Sequence, residues 1–225
     1  MNDSITSFEI GGRKFHFYLP DTEDLIQRTL RETNAFHDLE VLADMMLRIA
    51  PGDLILDCGA NIGNHAIFLA GAAEATVVAL EPFQHCFDIL DRNIAINDLD
   101  GRVLPINMAC GSANGTGEVI PGGPTNLGQT RVATNVKGMG AEVQIIALDE
   151  LELPAPVRLI KIDVEGMEAD ILRGAANILT RNAPVIYAEA RTDEALAEIS
   201  GIISPLGYTP TVRFNTTSTY RFEKQ

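Results

Sequence analysis

The chain is short of positive charge. Its 225 residues carry 17 Lys plus Arg against 31 Asp plus Glu, a formal net charge of -14. Nucleic-acid binding relies largely on basic contacts to phosphate. No Lys/Arg cluster breaks this acidity, so no nucleic-acid partner is expected. Long apolar runs are also missing. Charge interrupts each within about ten residues, short of the roughly 20 that cross a bilayer. The first ten residues, MNDSITSFEI, have neither a basic flank nor an apolar stretch and do not read as a signal peptide. The expectation is a cytoplasmic protein with no membrane association. Cysteine is scarce: Cys58, Cys86 and Cys110 sit in apolar surroundings, at spacings that make neither a disulfide framework nor a zinc site. They read as three buried thiols in a reducing compartment. Internal repeats and low-complexity tails are absent, and no two histidines have a metal-ligand spacing, so no metal is expected. Whether the chain forms a homo-oligomer is left open.

What is present is enough apolar residue, 46%, for one sizeable core. Residues 1–50 read as an extension packed on that core. Phe8, Ile10, Phe15, Phe17 and Leu19 suggest two strands about a Gly11-Gly12 turn. A helix is expected over 22–32, Asn34 is a candidate cap for a second one, and an amphipathic helix runs from Leu39 through Ile49 to a stop at Pro51-Gly52. From residue 51 to 225 strands and helices alternate. Strands are expected at 53–58, 76–80, 103–108, 159–162 and 185–188, with helices at 64–69, 83–97, 168–179 and 194–203. That alternation predicts an α/β fold with a parallel sheet covered on both faces. Tyr208–Phe214 and Ser218–Phe222, about a polar turn at Asn215-Thr216-Thr217, read as an antiparallel pair at the sheet edge. Residues 111–141 break the rhythm. They join a short strand expected near Gly117–Ile120 to another at Val143–Leu148, are too glycine-rich for a covering helix, and otherwise read as a loop, either solvent-facing or a wall for a substrate.

The local chemistry begins at Asp57-Cys58-Gly59-Ala60-Asn61-Ile62-Gly63. A parallel strand ending in a tight glycine turn exposes N–H groups and lets a cofactor approach the backbone. Gly59 and Gly63 serve that approach, and Asp57 or Asn61 offers hydrogen bonds. Glu81 ends the next strand, 22 residues after Gly59, where an acid accepts both hydroxyls of a ribose. The pairing points to a nucleoside cofactor and leaves NAD and S-adenosylmethionine both open.

The stretches PGDLILDCGANIGNHAIFLA (51–70), ALEPFQHCFDILDRNIAIN (79–97), NMACG (107–111), LIKIDVEGMEADILRGA (159–175) and PVIYAEA (184–190) resemble, in this order, the FkbM family of S-adenosylmethionine-dependent methyltransferases. The resemblance begins near Glu40 and covers about two thirds of the chain. Cys58 stands where the family more often has an aliphatic residue. The resemblance implies a class I methyltransferase (Rossmann-like) fold: a seven-stranded, mostly parallel sheet whose last strand runs antiparallel between two others, with helices on both faces. It implies S-adenosyl-L-methionine as cofactor, with Gly59, Ala60, Asn61 and Gly63 along its methionine–ribose side. Glu81 would hold the ribose, Phe83 would pack on the adenine, and Ala109-Cys110 would touch the ring. Glu40 matches an acidic family position and either reaches the cofactor amine or faces solvent. The acceptor implied is a hydroxyl of a saccharide or another small natural product. A nicotinamide-dependent oxidoreductase and a non-catalytic S-adenosylmethionine-binding protein are the alternatives.

Asp163 and Glu189 end strands at the edge where open α/β sheets place their ligands. With His65, just past the glycine turn, they are the candidate acceptors of the hydroxyl proton. Glu165 and Glu168 suit either a polar-substrate or metal site, or helix capping. Lys161 is expected to pair with a carboxylate such as Asp57 or Glu189. Asn126, Gln129, Thr130 and Arg131 offer polar groups to sugar hydroxyls, and Arg131 suits a carboxylate or phosphate.

Overall fold

The computed structural model describes residues 4–134, 136–214 and 218–225. The expected N-terminal hairpin forms as β1 (Ile5–Ile10) and β2 (Arg13–Tyr18). Helices α1 (Leu25–Thr33) and α2 (Leu39–Met46) follow. Asn34 does not begin a second helix. It closes α1 in a left-handed conformation, its N–H donating to Leu30 O, a C-terminal role asparagine shares with glycine. The residue ahead of α2 is Asp38, and α2 stops at Met46 rather than reaching Ile49.

The alternating pattern then builds β3 (Leu54–Cys58), α3 (Asn64–Ala72), β4 (Thr76–Leu80), α4 (Gln84–Ala95) and β5 (Val103–Ile106). Residues 111–141 are more than a loop. With flanking residues they form β6 (Ala109–Cys110), β7 (Gly115–Ile120), β8 (Arg131–Ala133) and β9 (Ala141–Ile146), a separate four-stranded sheet in the order β6-β9-β7-β8. Strands β7 and β9 answer to the two expected near 117–120 and 143–148. Strands β6 and β8, two and three residues long, carry no periodicity of their own, and β6 finds its partner 36 residues away, as Ala109 with Ile145. A short 3₁₀ turn, Leu127–Gln129, leads into β8.

The chain returns to the main sheet at β10 (Val157–Ile162). The helix expected over 168–179 is two, α5 (Glu168–Arg173) and α6 (Ala176–Asn182). The break falls at Gly174, where a Cβ would strike the carbonyl oxygen of Gly111. Strand β11 (Val185–Glu189), helix α7 (Asp193–Ile203) and strands β12 (Tyr208–Phe214) and β13 (Thr219–Lys224) complete the fold. The polar turn at 215–217 lies outside the described residues.

The main sheet runs β12-β13-β11-β10-β3-β4-β5. Its five strands from β11 to β5 are parallel, and β13 is antiparallel to both its neighbours. Alternate side chains face opposite layers, as the pleat requires. Ile55, Val77, Leu159 and Tyr187 pack under α2, α3 and α4, with the aromatic hairpin beyond. Leu54, Leu56, Ile160 and Ile186 face the layer of α5, α6 and α7. The three cysteines are free and buried. Among the described residues no helix is long and apolar enough to cross a membrane.

Candidate active site

The turn after β3 folds as glycine spacing demands. Gly59 sits at φ +82°, and a Cβ there would collide with the carbonyl oxygen of Asp163, so a side chain would push the ends of β3 and β10 apart. The N–H groups of Gly59 and Ala60 both donate to Leu80 O at 3.0 Å, holding the turn to the end of β4. Asn61, itself left-handed at φ 51°, donates its N–H to Glu81 Oε2 at 2.8 Å, and Phe83 N–H donates to Oε1 at 2.8 Å. Glu81 is only 6% exposed. Burial raises its carboxyl to about 7, against the pull of the two N–H bonds. An acid held so firmly, with one N–H on each oxygen and lone pairs remaining, fits the paired hydroxyls of a ribose.

This turn floors a cleft of about 290 Å³. Ala109 and Cys110 line it beside Glu81, while Asn64, His65, Lys161 and Asp163 line it toward β10. Leu25 and Ile26 of α1 cover it together with Asn126, Leu127, Gly128 and Thr130. The cover is bolted: the Asp24 carboxylate, fully buried, accepts from Gln27 N–H at 3.0 Å and Leu127 N–H at 2.8 Å, and Leu25 N–H donates to Thr125 O at 3.0 Å.

Lys161 is the buried cation of the site. Its Nζ lies 3.0 Å from Asp57 Oδ1 and 3.6 Å from Asp163 Oδ2, and donates to Gly59 O at 2.9 Å. Burial opposes its charge, but Asp57 and Asp163 outweigh burial and hold it protonated. Asp57 lies wholly buried beneath the turn, and its oxygens have Lys161 as their ion-pair partner among the described residues. Glu189, expected as a partner, is not one. His65 is kept a neutral imidazole, its pKa driven well down by burial and by the charges of Lys161 and His37.

At Asp163 the cleft joins a second groove of about 570 Å³; the two share Val164, Glu165, Glu189 and Arg191. Arg191 sits between two acids, 2.7 Å from Glu165 Oε1 and 2.9 Å from Glu189 Oε2. Glu165 is therefore paired rather than capping a helix. Glu168 opens α5 and accepts Gly166 N–H at 3.3 Å. Burial raises both Glu168 and Glu189 to about 7. Gln129 and Arg131 form the facing wall, and Arg131 makes no ion pair among the described residues.

The structure thus brings most of the sequence-predicted residues together: Gly59, Ala60, Asn61, His65, Glu81, Ala109, Cys110, Asn126, Thr130, Asp163, Glu165 and Glu189 line the cleft. Arg131 lines only the adjoining groove, and four others stand apart from both. Glu40 is exposed on α2. Asp57 lies below the floor, and Gly63 caps α3, where a Cβ would strike Leu90. Phe83 packs with Ala109, Val119 and Val143 under the second sheet. Sequence reasoning missed Leu25, Ile26, His37, Asp38 and Asn64. Ahead of an amphipathic helix, Asp38 has the sequence signature of an ordinary helix cap, which conceals it. Among the described residues no three His, Cys, Asp or Glu side chains converge as a metal cluster would.

Comparison with known proteins gives this geometry its family. The model of the FkbM methyltransferase domain matches residues 57–209. The chain is 29% identical over 175 residues to the hexuronic acid methyltransferase AglP of Haloferax volcanii, covering 76% of this chain and 68% of that protein. It is 28% identical over 153 residues to methyltransferase sdnD of Sordaria araneosa, covering 53% and 59%. Among solved structures, an FkbM methyltransferase from Methylobacillus flagellatus superposes with a TM-score of 0.61 at 20% identity, over 78% of this chain and 44% of that one. The chain therefore spans under half the length of that solved protein. The TYW2 protein of P. horikoshii, in complex with MeSAdo, has the same fold at a TM-score of 0.54 and 15% identity, over 98% and 70%. The matched segment begins at the buried Asp57, takes in the glycine turn and Glu81, and ends past β11, so the chain that builds this cleft belongs to the FkbM methyltransferase domain family.

Proposed function

We propose that this protein transfers the methyl group of S-adenosylmethionine to a hydroxyl of a saccharide or other small natural-product acceptor. One observation carries the reading: the Glu81 carboxylate, pinned by Asn61 and Phe83 N–H groups, and the Asp163–Glu189 edge line one cleft that opens into a second, polar groove. When bound, S-adenosylmethionine supplies an activated methyl on a positively charged sulfur. The chain's own residues do the rest. Gly59, Ala60 and Asn61 offer a floor with no bulky side chain, and Glu81 receives a diol. The Asp24-bolted cover keeps water out, and alignment with exclusion of water is the main rate contribution available to such a site. An aliphatic hydroxyl is too weak an acid to ionise beforehand, so its proton leaves during or after bond formation. Glu189, raised to about 7, and the neutral His65 are suited to take it; Asp163 is the third candidate.

The groove is the acceptor's place in this reading. Glu165, Glu168 and Glu189 accept from sugar hydroxyls, and Arg131 is available for an acidic group. A relative named for hexuronic acid favours a second reading, in which the acceptor sugar carries a carboxylate. Incubation with methyl-labelled S-adenosylmethionine and a panel of neutral and acidic glycosides tests both. Label that survives alkali is an ether and supports hydroxyl transfer; label released by alkali is an ester and overturns it. Tight cofactor binding with no transfer to any acceptor would instead mark a protein that binds without catalysing.

A further inference from the structure

Asp38 stands where a helix-capping aspartate belongs, yet it does not cap. It precedes α2 in a left-handed conformation, φ 57° and ψ 42°, and its side chain makes no hydrogen bond to the helix N–H groups. The carboxylate turns into the cleft instead, 7% exposed, with His37 Nε2 at 3.3 Å.

Three contacts hold it there. Phe36 is packed edge-on by Phe8, Phe15, Phe17 and Phe68 at centroid distances of 4.9–5.6 Å. Asn64, at the start of α3, grips the next residue twice: its Oδ1 accepts His37 N–H at 2.9 Å and its Nδ2 donates to His37 O at 3.0 Å. Downstream, Asp44 of α2 is fixed by Tyr187 O–H at 2.5 Å and Arg221 Nη1 at 2.7 Å. The cost of a left-handed aspartate is thus borne by packing on both sides.

Charge accounting at this wall is unbalanced. Asp38 lines the same cleft as Asp163 and Lys161. An ammonium has three protons, and those of Lys161 already face Asp57, Gly59 O and Asp163. The side-chain partner of Asp38, His37, is a cation only when protonated. A buried carboxylate without a permanent cation is costly, and the cleft space beside Asp38 suits a small positive group. The group must also carry N–H donors, because a carboxylate gains most from charge-assisted hydrogen bonds, and a sulfonium has none. Resting on the cofactor reading above, we propose that Asp38 receives the α-ammonium at the amino-acid end of the cofactor, while Glu81 receives its ribose.

Calorimetric titration of the whole protein separates the two sites. S-adenosylhomocysteine carries the amino-acid end; 5′-methylthioadenosine carries the ribose but no amino acid. Asp38→Asn should weaken S-adenosylhomocysteine at least about tenfold and leave methylthioadenosine within about twofold, whereas Glu81→Gln should weaken both. Wild-type protein should also lose about tenfold for a des-amino analogue of S-adenosylhomocysteine, a measurement that needs no variant to fold. Unchanged binding of S-adenosylhomocysteine to Asp38→Asn, equal weakening of both probes, or indifference of wild type to the missing amine overturns the assignment. Wild-type protein that binds neither adenosyl probe overturns the cofactor reading beneath it.

Discussion

Asp24 and Leu127 are 103 residues apart in the chain, yet the carboxylate of one accepts the backbone N–H of the other at 2.8 Å, out of contact with water. One side chain therefore caps α1 and ties that helix to the second sheet. Asp24→Ala should lose about 1–2 kcal/mol for the cap and about 1–3 kcal/mol for the Leu127 N–H left buried and unpaired. Urea denaturation reads this loss directly. Because Leu25, Ile26 and Leu127 cover the cleft, the same variant should bind S-adenosylhomocysteine more weakly, and unaltered affinity would show that the cover is not part of the binding surface.

Glu81 predicts a pH dependence of definite sign. Its folded pKa, about 7, lies above the ordinary value of 4.5. The folded state thus holds a proton that the unfolded state releases, so the free protein loses stability as pH rises from about 4.5 to 7. Glu81→Gln should be more stable than wild type at pH 8 and gain nothing at pH 4. A ligand that donates hydrogen bonds to this carboxylate favours its ionised form. Binding should release a proton below pH 7, and affinity should rise by at most roughly tenfold per pH unit before levelling off. Calorimetry in buffers of different ionisation enthalpy counts that proton; wild type and Glu81→Gln releasing the same number would dismiss Glu81 as its source.

Lys161 and Asp57 form a buried pair at 3.0 Å. Lys161→Met leaves Asp57 charged and enclosed, a loss of about 3–5 kcal/mol. The double variant Asp57→Asn/Lys161→Met should recover much of that loss, because no lone charge remains. Chemical denaturation of the two single variants and the double one gives the coupling; strictly additive losses would contradict the pairing.

Arg131 tests the acidic-sugar reading of the groove. Arg131→Ala should raise KM for a carboxylated acceptor by about tenfold, the value of one well-placed charge contact, and leave a neutral glycoside unaffected. Equal effects on both acceptors would remove Arg131 from selectivity.

Much of this molecule could be read from the residues. The alternation of strands and helices after residue 51 follows from hydrophobic period, and Gly59 with Glu81 follows from the chemistry of a turn beside an acid. What could not be read depends on distant partners. In the second sheet β7 and β9 are legible as short strands, but β6 and β8 are too short to show a period and exist only through their partners, as Ala109 with Ile145 and Val132 with Val119. The helix break at Gly174 comes from the backbone of Gly111, and no propensity at 168–179 signals it. Asn34 and Asp38 both carry the letters of a helix start, and only their left-handed backbones reveal that one ends a helix and the other faces a cleft. Glu40 has the right charge in the right neighbourhood, but two residues of helical rotation turn it outward.

Helix α3 is buried along nearly its whole length, from Asn64 to Gly71. It is apolar on both sides, with the sheet beneath and the aromatic hairpin above. Phe15 packs so closely on it that a Cβ at Gly71 would meet the ring, and Arg13 donates to Gly71 O at 2.9 Å. Cutting the protein at Pro51, where the alternating pattern starts, would strip one wall from this helix and expose its greasy back. The unit expected to fold alone is therefore wider than residues 57–209, the segment the family model matches, and trimming for crystallisation or fusion at Pro51 should cost stability, read by thermal denaturation.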